Sequence, residues 1–454
     1  MMKRDIDKLL AIHGATTPRY TSYPTAPHFG ADVGPSLVPE LISACGHHNQ
    51  TSVYLHIPYC DRLCWFCGCH TKQTKRYEPV QAYVETLVQE IEAFGERAGF
   101  RPVMSALHLG GGSPSLLKSE DMARIGEVVR RVFDVRDDAE IALEIDPSDV
   151  TDDTLDGLVA LGLTRASIGV QDFDPDVQTA INRPQTYETT AAVADAVRKR
   201  TGCTLNIDAL YGLPRQTSER LERTIEQVIS LSPDRVALFG YAHVPWAKTH
   251  QRMIADSDLP GRHERLSQAA MAADQLRAAG YETIGFDHFA KPEDSLAVAA
   301  RTGQLQRNFQ GYTADAAPVL IGFGASAISQ YPGGYIQNIV PTNNYRTAVA
   351  NGEPTAARGY ALTEDDRMRA FAIARLLCDF RLDFTALAEQ FGSSVWPVAE
   401  RVKQCVADDG FALASIEGWV LTIPDDARSF ARIVASWLDA YRTEGETARY
   451  SQAV

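Results

Sequence analysis

Six short strand-like runs, each separated from the next by enough sequence for a crossover helix, limit what this chain can fold into more than any other feature. They are Ser52–Ile57, Met104–Leu109, Glu140–Ile145, Arg165–Val170, Leu205–Leu210 and Val236–Tyr241. Between the first two, Val84, Leu87, Val88, Ile91 and Phe94 fall on one stripe of an amphipathic helix. Successive βα units predict an α/β fold: a parallel sheet with helices outside it, either doubly wound or a barrel. In βα barrels the chemistry sits at the C-terminal mouth. The strand ends here are polar: a cysteine loop, Gly110-Gly111-Gly112-Ser113-Pro114, Glu144 with Asp146, Gln171-Asp172, and Asn206 with Asp208. The period of two puts Asn206 and Asp208 on one face and Leu205 and Ile207 on the other. One carboxylate in a strand is often only solvated, but polar groups at five successive ends need partners, and a polar ligand across the mouth would supply them.

The loop after the first run carries Cys60-x3-Cys64-x2-Cys67, with Cys69 one glycine further on. Thiols at this density hold zinc or an iron–sulfur cluster. Structural zinc usually takes two Cys-x2-4-Cys knuckles on separate loops. Here the first three thiols can wrap three corners of a cubane and leave one iron open. A compact zinc site and a disulfide cluster are the alternatives. No cationic segment followed by an apolar one opens the chain, so nothing points to secretion. Cys45, Cys203, Cys378 and Cys405 are scattered and read as buried free thiols.

With 454 residues, 45% hydrophobic and 22% charged, the chain suits a soluble protein of two or three domains. No apolar run approaches the roughly 18 residues of a membrane span. A formal charge of −14 argues against nucleic-acid binding, and it requires a local basic patch for any anionic substrate. The glycine run is neither a P-loop nor a dinucleotide fingerprint, since Lys118-Ser119 follows Leu117 and Ser115 stands where a third glycine is needed.

On these residues the chain resembles the radical S-adenosylmethionine (SAM) superfamily. Within it the likeness to the oxygen-independent coproporphyrinogen III oxidase (coproporphyrinogen dehydrogenase) family covers nearly the whole chain. It is carried by Pro18-Arg19-Tyr20-Thr21-Ser22-Tyr23-Pro24-Thr25, His56-Ile57-Pro58-Tyr59-Cys60, Gly68-Cys69, Gly169-Val170-Gln171-Asp172-Phe173, Tyr211-Gly212-Leu213-Pro214, Tyr241-Ala242-His243, Asp287-His288-Phe289-Ala290 and Arg307-Asn308-Phe309-Gln310-Gly311-Tyr312.

The resemblance implies a partial (β/α)6 TIM-like barrel holding a [4Fe–4S] cluster on Cys60, Cys64 and Cys67. One SAM would chelate the open iron and lie against Gly111 and Glu144, framed by Tyr54, Ala242 and Ile328. A second SAM would contact Phe66, Gly112, Ser113, Gln171, Arg183 and Asp208, with Ser113 where the family commonly has threonine and Arg183 placed for a bidentate carboxylate pair. Tyr54 and Glu144 are thus expected at the reaction centre, with Cys69 as a non-ligating thiol and Arg19 as a contact for the substrate's carboxylates. Trp65 and Phe66 can shield the cluster from solvent. The implied reaction is oxidative decarboxylation of two propionates of coproporphyrinogen III to vinyl groups, giving protoporphyrinogen IX in haem biosynthesis. It would take place in a cytoplasmic monomer served by an electron donor such as flavodoxin or ferredoxin. The alternative is a radical-SAM-like haem chaperone. Proteins of that branch generally lack both the Cys69 equivalent and the Arg19–Pro24 block. A zinc-stabilised binding module leaves the polar strand ends unexplained.

After about residue 355 the pattern changes. Thr363-x2-Asp366 is a capping box opening a helix with Met368, Phe371, Ala374, Leu377 and Cys378 on one stripe. Phe411–Ile416, Glu417-Gly418 and Trp419–Ile423 read as a hairpin, and Phe430, Ile433, Val434, Trp437 and Tyr441 as a closing amphipathic helix. Helices with a hairpin suggest a winged-helix-like module, as the family's C-terminal domain implies, in a lid or docking role over the mouth. The expected organisation is an N-terminal arm over 1–48 contacting the active site, a radical SAM partial barrel over 49–290, a barrel extension and connector over 291–355 and a C-terminal helical domain over 356–454.

Overall fold

The computed structural model describes residues 8–9, 17–31, 33–47 and 50–442. Parts of the expected arm (1–7 and 10–16) and the chain end (443–454) lie outside the described residues.

Six parallel strands form where the apolar runs predict them: β1 (Thr51–Ile57), β2 (Val103–Gly111), β3 (Asp134–Ile145), β4 (Arg165–Gln171), β5 (Thr204–Tyr211) and β6 (Arg235–Gly240), paired in that order. A seventh parallel strand, β7 (Val319–Phe323), lies on the other side of β1. All five of its residues are buried. Antiparallel strands then extend both edges to twelve: Ile328–Tyr331, Gly334–Asn338 and Ala356–Ala361 beyond β7, His288–Ala290 and Glu282–Ile284 beyond β6. Helices pack on one face. The helix Glu78–Ala98 has Pro79 in its first turn, ends at Gly99 in the left-handed region, and buries Val80, Tyr83, Val84, Leu87, Ile91 and Phe94. Leu205 and Ile207 point into this apolar layer, which leaves Asn206 and Asp208 facing the barrel interior.

The C-terminal segment has helices Glu364–Asp379, Phe384–Phe391 and Val395–Asp408 with a three-stranded antiparallel sheet. The Thr363–Asp366 capping box forms with both hydrogen bonds. Of the expected stripe, Met368, Leu377 and Cys378 are buried together with Ala372, Ile373 and Leu376, whereas Phe371 is exposed and meets Phe391. The hairpin turns on Gly418-Trp419, one residue later than expected, because Gly418 takes the positive φ. The strand Arg381–Asp383, which the sequence reading lacks, joins it. The closing helix is broken into Asp425–Phe430, Ala431–Ala435 and Ser436–Leu438, and Tyr441 lies beyond them. Tyr20 and Tyr23 of the N-terminal arm belong to this domain's apolar core. Among the described residues no helix is long and apolar enough to cross a membrane.

Candidate active site

One cavity of about 430 Å³ runs along the barrel interior. It is lined by Tyr54 and His56 from β1, His108 and Gly111 from β2, Glu144 from β3, Ser167 from β4 and Asn206 with Asp208 from β5, while Cys69, His288 and Ile328 close its sides. Register sets these neighbours: Tyr54 pairs with His108 across β1 and β2, and their rings stack at 5.8 Å. Tyr54 Oη lies 3.0 Å from His56 Nδ1, and His56 Nε2 lies 2.9 Å from the His70 carbonyl. A carbonyl only accepts, so Nε2 carries the proton and Nδ1 accepts from the tyrosine. Burial pushes the His56 pKa down to about 4, keeping the ring neutral at pH 7.

Of the carboxylates lining the cavity, Glu144 and Asp208 are shifted in opposite directions. Burial pushes both up. For Glu144 this is outweighed by His108 Nε2 at 3.3 Å and the Gly111 N–H at 3.1 Å, so it stays below its ordinary value. For Asp208 burial and the charge of Glu144 prevail over hydrogen bonds from Asn206 (2.8 Å) and Ser167 (3.2 Å), and its pKa is raised. Gly111 has φ +111°, and a Cβ there would sit 2.4 Å from the His56 ring. Only glycine brings the backbone amide up to Glu144.

The cysteine loop hangs on neighbouring elements: Trp65 N–H donates to the Ile181 carbonyl (2.9 Å), Asn182 to that of Leu63 (2.9 Å), His250 to that of Cys67 (2.7 Å) and Lys248 to that of Cys69 (3.1 Å). Each of the three motif sulfurs has a polar neighbour: Thr71 Oγ1 at 3.0 Å from Cys60, Arg183 Nη1 at 3.6 Å from Cys64, and the Cys69 N–H at 3.3 Å from Cys67. Burial raises the Cys60 thiol to about 12, and a hydrogen bond from Cys69 lowers Cys67 to about 7. Among the described residues no set of His, Cys, Asp or Glu converges tightly enough for a single metal ion. Three thiols spread round one loop, each sulfur facing a donor, are a donor set for a polynuclear cluster. Polar side chains project into the adjoining cavity, and His108 Nδ1 is buried in it without a partner, as a site for a polar ligand requires. The residues present fit an iron–sulfur cluster with a polar organic ligand beside it.

Residues 54–228 match the model of the radical SAM superfamily, and residues 362–422 that of the HemN C-terminal domain. Over 98% of its length the chain is 42% identical to an oxygen-independent coproporphyrinogen III oxidase of Cereibacter sphaeroides, covering 98% of that protein. The chain belongs to the oxygen-independent coproporphyrinogen III oxidase family. A family member from Pseudomonas aeruginosa is 37% identical, with 98% of both chains covered. The solved structure of the Escherichia coli coproporphyrinogen III oxidase (HemN), a radical SAM enzyme, superposes with a TM-score of 0.88 at 36% identity, over 97% of this chain and 99% of that one. Membership of this radical SAM family implies a [4Fe–4S] cluster and SAM.

Of the site residues expected from the sequence, the cavity brings together Tyr54, Cys69, Gly111, Glu144, Asp208 and Ile328. Phe66, Gly112, Ser113, Gln171, Arg183 and Ala242 lie outside its lining. Phe66 packs with Trp65 against an apolar cluster that includes Val177, Ile181, Leu213 and Tyr241. Ser113 Oγ bonds Ser115 (3.0 Å) and Asp149. Gln171, at φ +66°, has its amide nitrogen beside Gly169. The Ala242 carbonyl accepts from Gln251 (3.1 Å). Arg183 Nη1 meets Asp146 at 3.0 Å and Nη2 donates to the Gly169 carbonyl at 2.8 Å. Arg19 reaches the end of β6, donating to the Gly240 carbonyl at 3.3 Å. The sequence reading singled out neither His56 nor His108 as a site residue. Alternation was the available signal, because His56 shares the face of Tyr54 at i+2. Arg165 paired with Glu140 (2.9 Å) and Arg235 with Asp294 (2.7 Å) plug the opposite end of the cavity.

Proposed function

We propose that the chain catalyses oxygen-independent oxidative decarboxylation of two propionates of coproporphyrinogen III, giving the vinyl groups of protoporphyrinogen IX. The observation that carries this reading is end-to-end kinship, 42% identity over 98% of both chains, with a protein of that name. The site chemistry agrees. Cys60, Cys64 and Cys67 would hold the cluster and leave one iron open; when bound, cluster and SAM supply a 5′-deoxyadenosyl radical. Glu144, kept ionised by His108 and the Gly111 amide, offers a counter-charge for the ligand's ammonium and sulfonium groups. Gly111 lets backbone and ligand approach closely. The Tyr54–His56–His70 chain fixes the adjoining wall. Trp65 and Phe66, within the cysteine loop and packed on the apolar cluster of Val177, Ile181, Leu213 and Tyr241, would shield the cluster from water. Cys69 lines the cavity and acts as a non-ligating thiol. Phe66, Gly112, Ser113, Gln171, Arg183 and Asp208 would receive a second SAM, with the Arg183–Asp146 pair opening to admit its carboxylate. A flavodoxin or ferredoxin as donor, a monomeric state and a cytoplasmic location complete the proposal.

The test is anaerobic reconstitution, iron and sulfide analysis, then incubation with SAM, reductant and coproporphyrinogen III. A product lighter by two CO2 and four hydrogens supports the reading. Tight haem binding with no decarboxylation would overturn it in favour of a haem chaperone.

A further inference from the structure

Three guanidinium groups from three distant parts of the chain gather beside the cavity. Arg19, exposed on the N-terminal arm, donates from Nη2 to the carbonyl of Gly240. Arg307, on the strand Gln306–Asn308, donates from Nη2 to the Arg19 carbonyl at 3.0 Å, and its guanidinium lies over Phe286 and Tyr312, 5.1 and 5.0 Å from the ring centres. Arg432 comes from the short helix Ala431–Ala435 of the C-terminal domain. All three feel the charge of Asp287, whose carboxylate also binds His288 Nδ1 at 2.7 Å, and all act on one another. Arg265 sits behind Tyr211, held by the carbonyls of Gly212 (3.3 Å) and Tyr241 (2.9 Å). Burial together with the charges of Arg19 and Arg307 pushes Arg432 down to about 10. Cations that press on each other in this way are stabilised by an incoming anion. The group adjoins the cavity directly, since Phe239, His288 and Asn308, each next in sequence to Gly240, Asp287 and Arg307, line it.

We infer that Arg19, Arg307 and Arg432 form a carboxylate-recognition site at the cavity rim, gripping propionates of the tetrapyrrole other than the one that reacts; this rests on the function proposed above. The guanidinium fork matches a carboxylate in two parallel hydrogen bonds. A substrate with four carboxylates approaching a chain of net charge −14 needs such a local basic site. Because each arginine belongs to a different segment, one bound propionate would tie arm, barrel and C-terminal domain together over the mouth.

Arg19→Gln, Arg307→Gln and Arg432→Gln, with Arg307→Lys, test this on cluster-loaded protein. The readouts are KM and kcat with coproporphyrinogen III, and the Kd values of coproporphyrin III and of its tetramethyl ester. Each Gln variant is expected to raise KM and the tetracarboxylate Kd by roughly 10- to 100-fold, the scale of one lost charge-assisted hydrogen bond. Ester affinity should stay at the wild-type level, and Arg307→Lys should recover part of the loss. Unchanged KM and Kd, or equal losses for ester and acid, overturn the site. Should Arg432→Gln fail to fold, the other two variants carry the test. Wild-type protein that decarboxylates while the variants keep its KM refutes the arginine site alone, whereas wild-type protein that makes no product refutes the function itself.

Discussion

The thiols around Cys67 differ in their placement. Cys69 bonds to it and faces the cavity, while Cys60 and Cys64 share its loop outside the cavity lining. Cys60→Ala should therefore lose the cluster, and Cys69→Ala should keep near wild-type iron and sulfide after reconstitution; iron loss in Cys69→Ala would refute the three-ligand assignment. His56 carries a second residue-scale consequence. Its folded pKa of about 4 lies below the ordinary 6.5, so between those values the unfolded chain binds one proton more than the folded one. Stability then rises with pH across that window and falls on acidification, by up to about 3 kcal/mol from this group. Urea midpoints measured at pH 6.5 and 4.5 should show a smaller difference in His56→Gln than in wild type. The cysteine spacing, Glu144 and Asp208 were legible in the sequence because each lies within one short segment. The opposite pKa shifts of the two carboxylates were not, since they depend on burial and on groups from other strands, His108 beside Glu144 and the charge of Glu144 on Asp208.

At the scale of elements, six strands stood where apolar runs and crossover-length gaps predicted them, because burial on both faces leaves parallel strands little choice of composition. The turn after β2 is the element on which the site depends most. Gly111→Ala forces a Cβ to 2.4 Å from the His56 ring at φ +111°, so it should destabilise the fold by about 2 kcal/mol or more and abolish SAM binding. Calorimetry with a SAM titration would check both; wild-type values for the variant would show that the turn tolerates a side chain. Spacing failed where local and tertiary demands diverge. In the helix Glu364–Asp379 the face that meets the domain core is set by neighbouring helices, so Phe371 turns outward. The closing helix breaks because its apolar residues serve several surfaces of one small core.

Over the whole molecule, the N-terminal arm acts as a strap. Tyr20 Oη donates to Asp439 at 3.0 Å, Ala440 N–H donates to Tyr23 Oη at 2.9 Å, Tyr335 Oη donates to the Tyr23 carbonyl at 3.2 Å, and Gly30 bridges to Gly359. Tyr20→Phe leaves the buried Asp439 carboxylate short of a donor, and should cost about 1–3 kcal/mol, read as a lower thermal midpoint with faster proteolysis of the C-terminal domain. An unchanged midpoint and proteolysis rate would mean that the strap adds no stability. By itself the sequence determined six parallel strands of the barrel, the thiol loop after the first of them and the family, because period, spacing and motif are properties of contiguous residues. Only the tertiary structure decided which polar groups share one cavity, that Arg183 is held by Asp146, and that Arg19, Arg307 and Arg432 meet at its rim. Those relations join residues as many as 413 positions apart, and only the packing of arm, barrel and C-terminal domain brings them within reach of a common ligand.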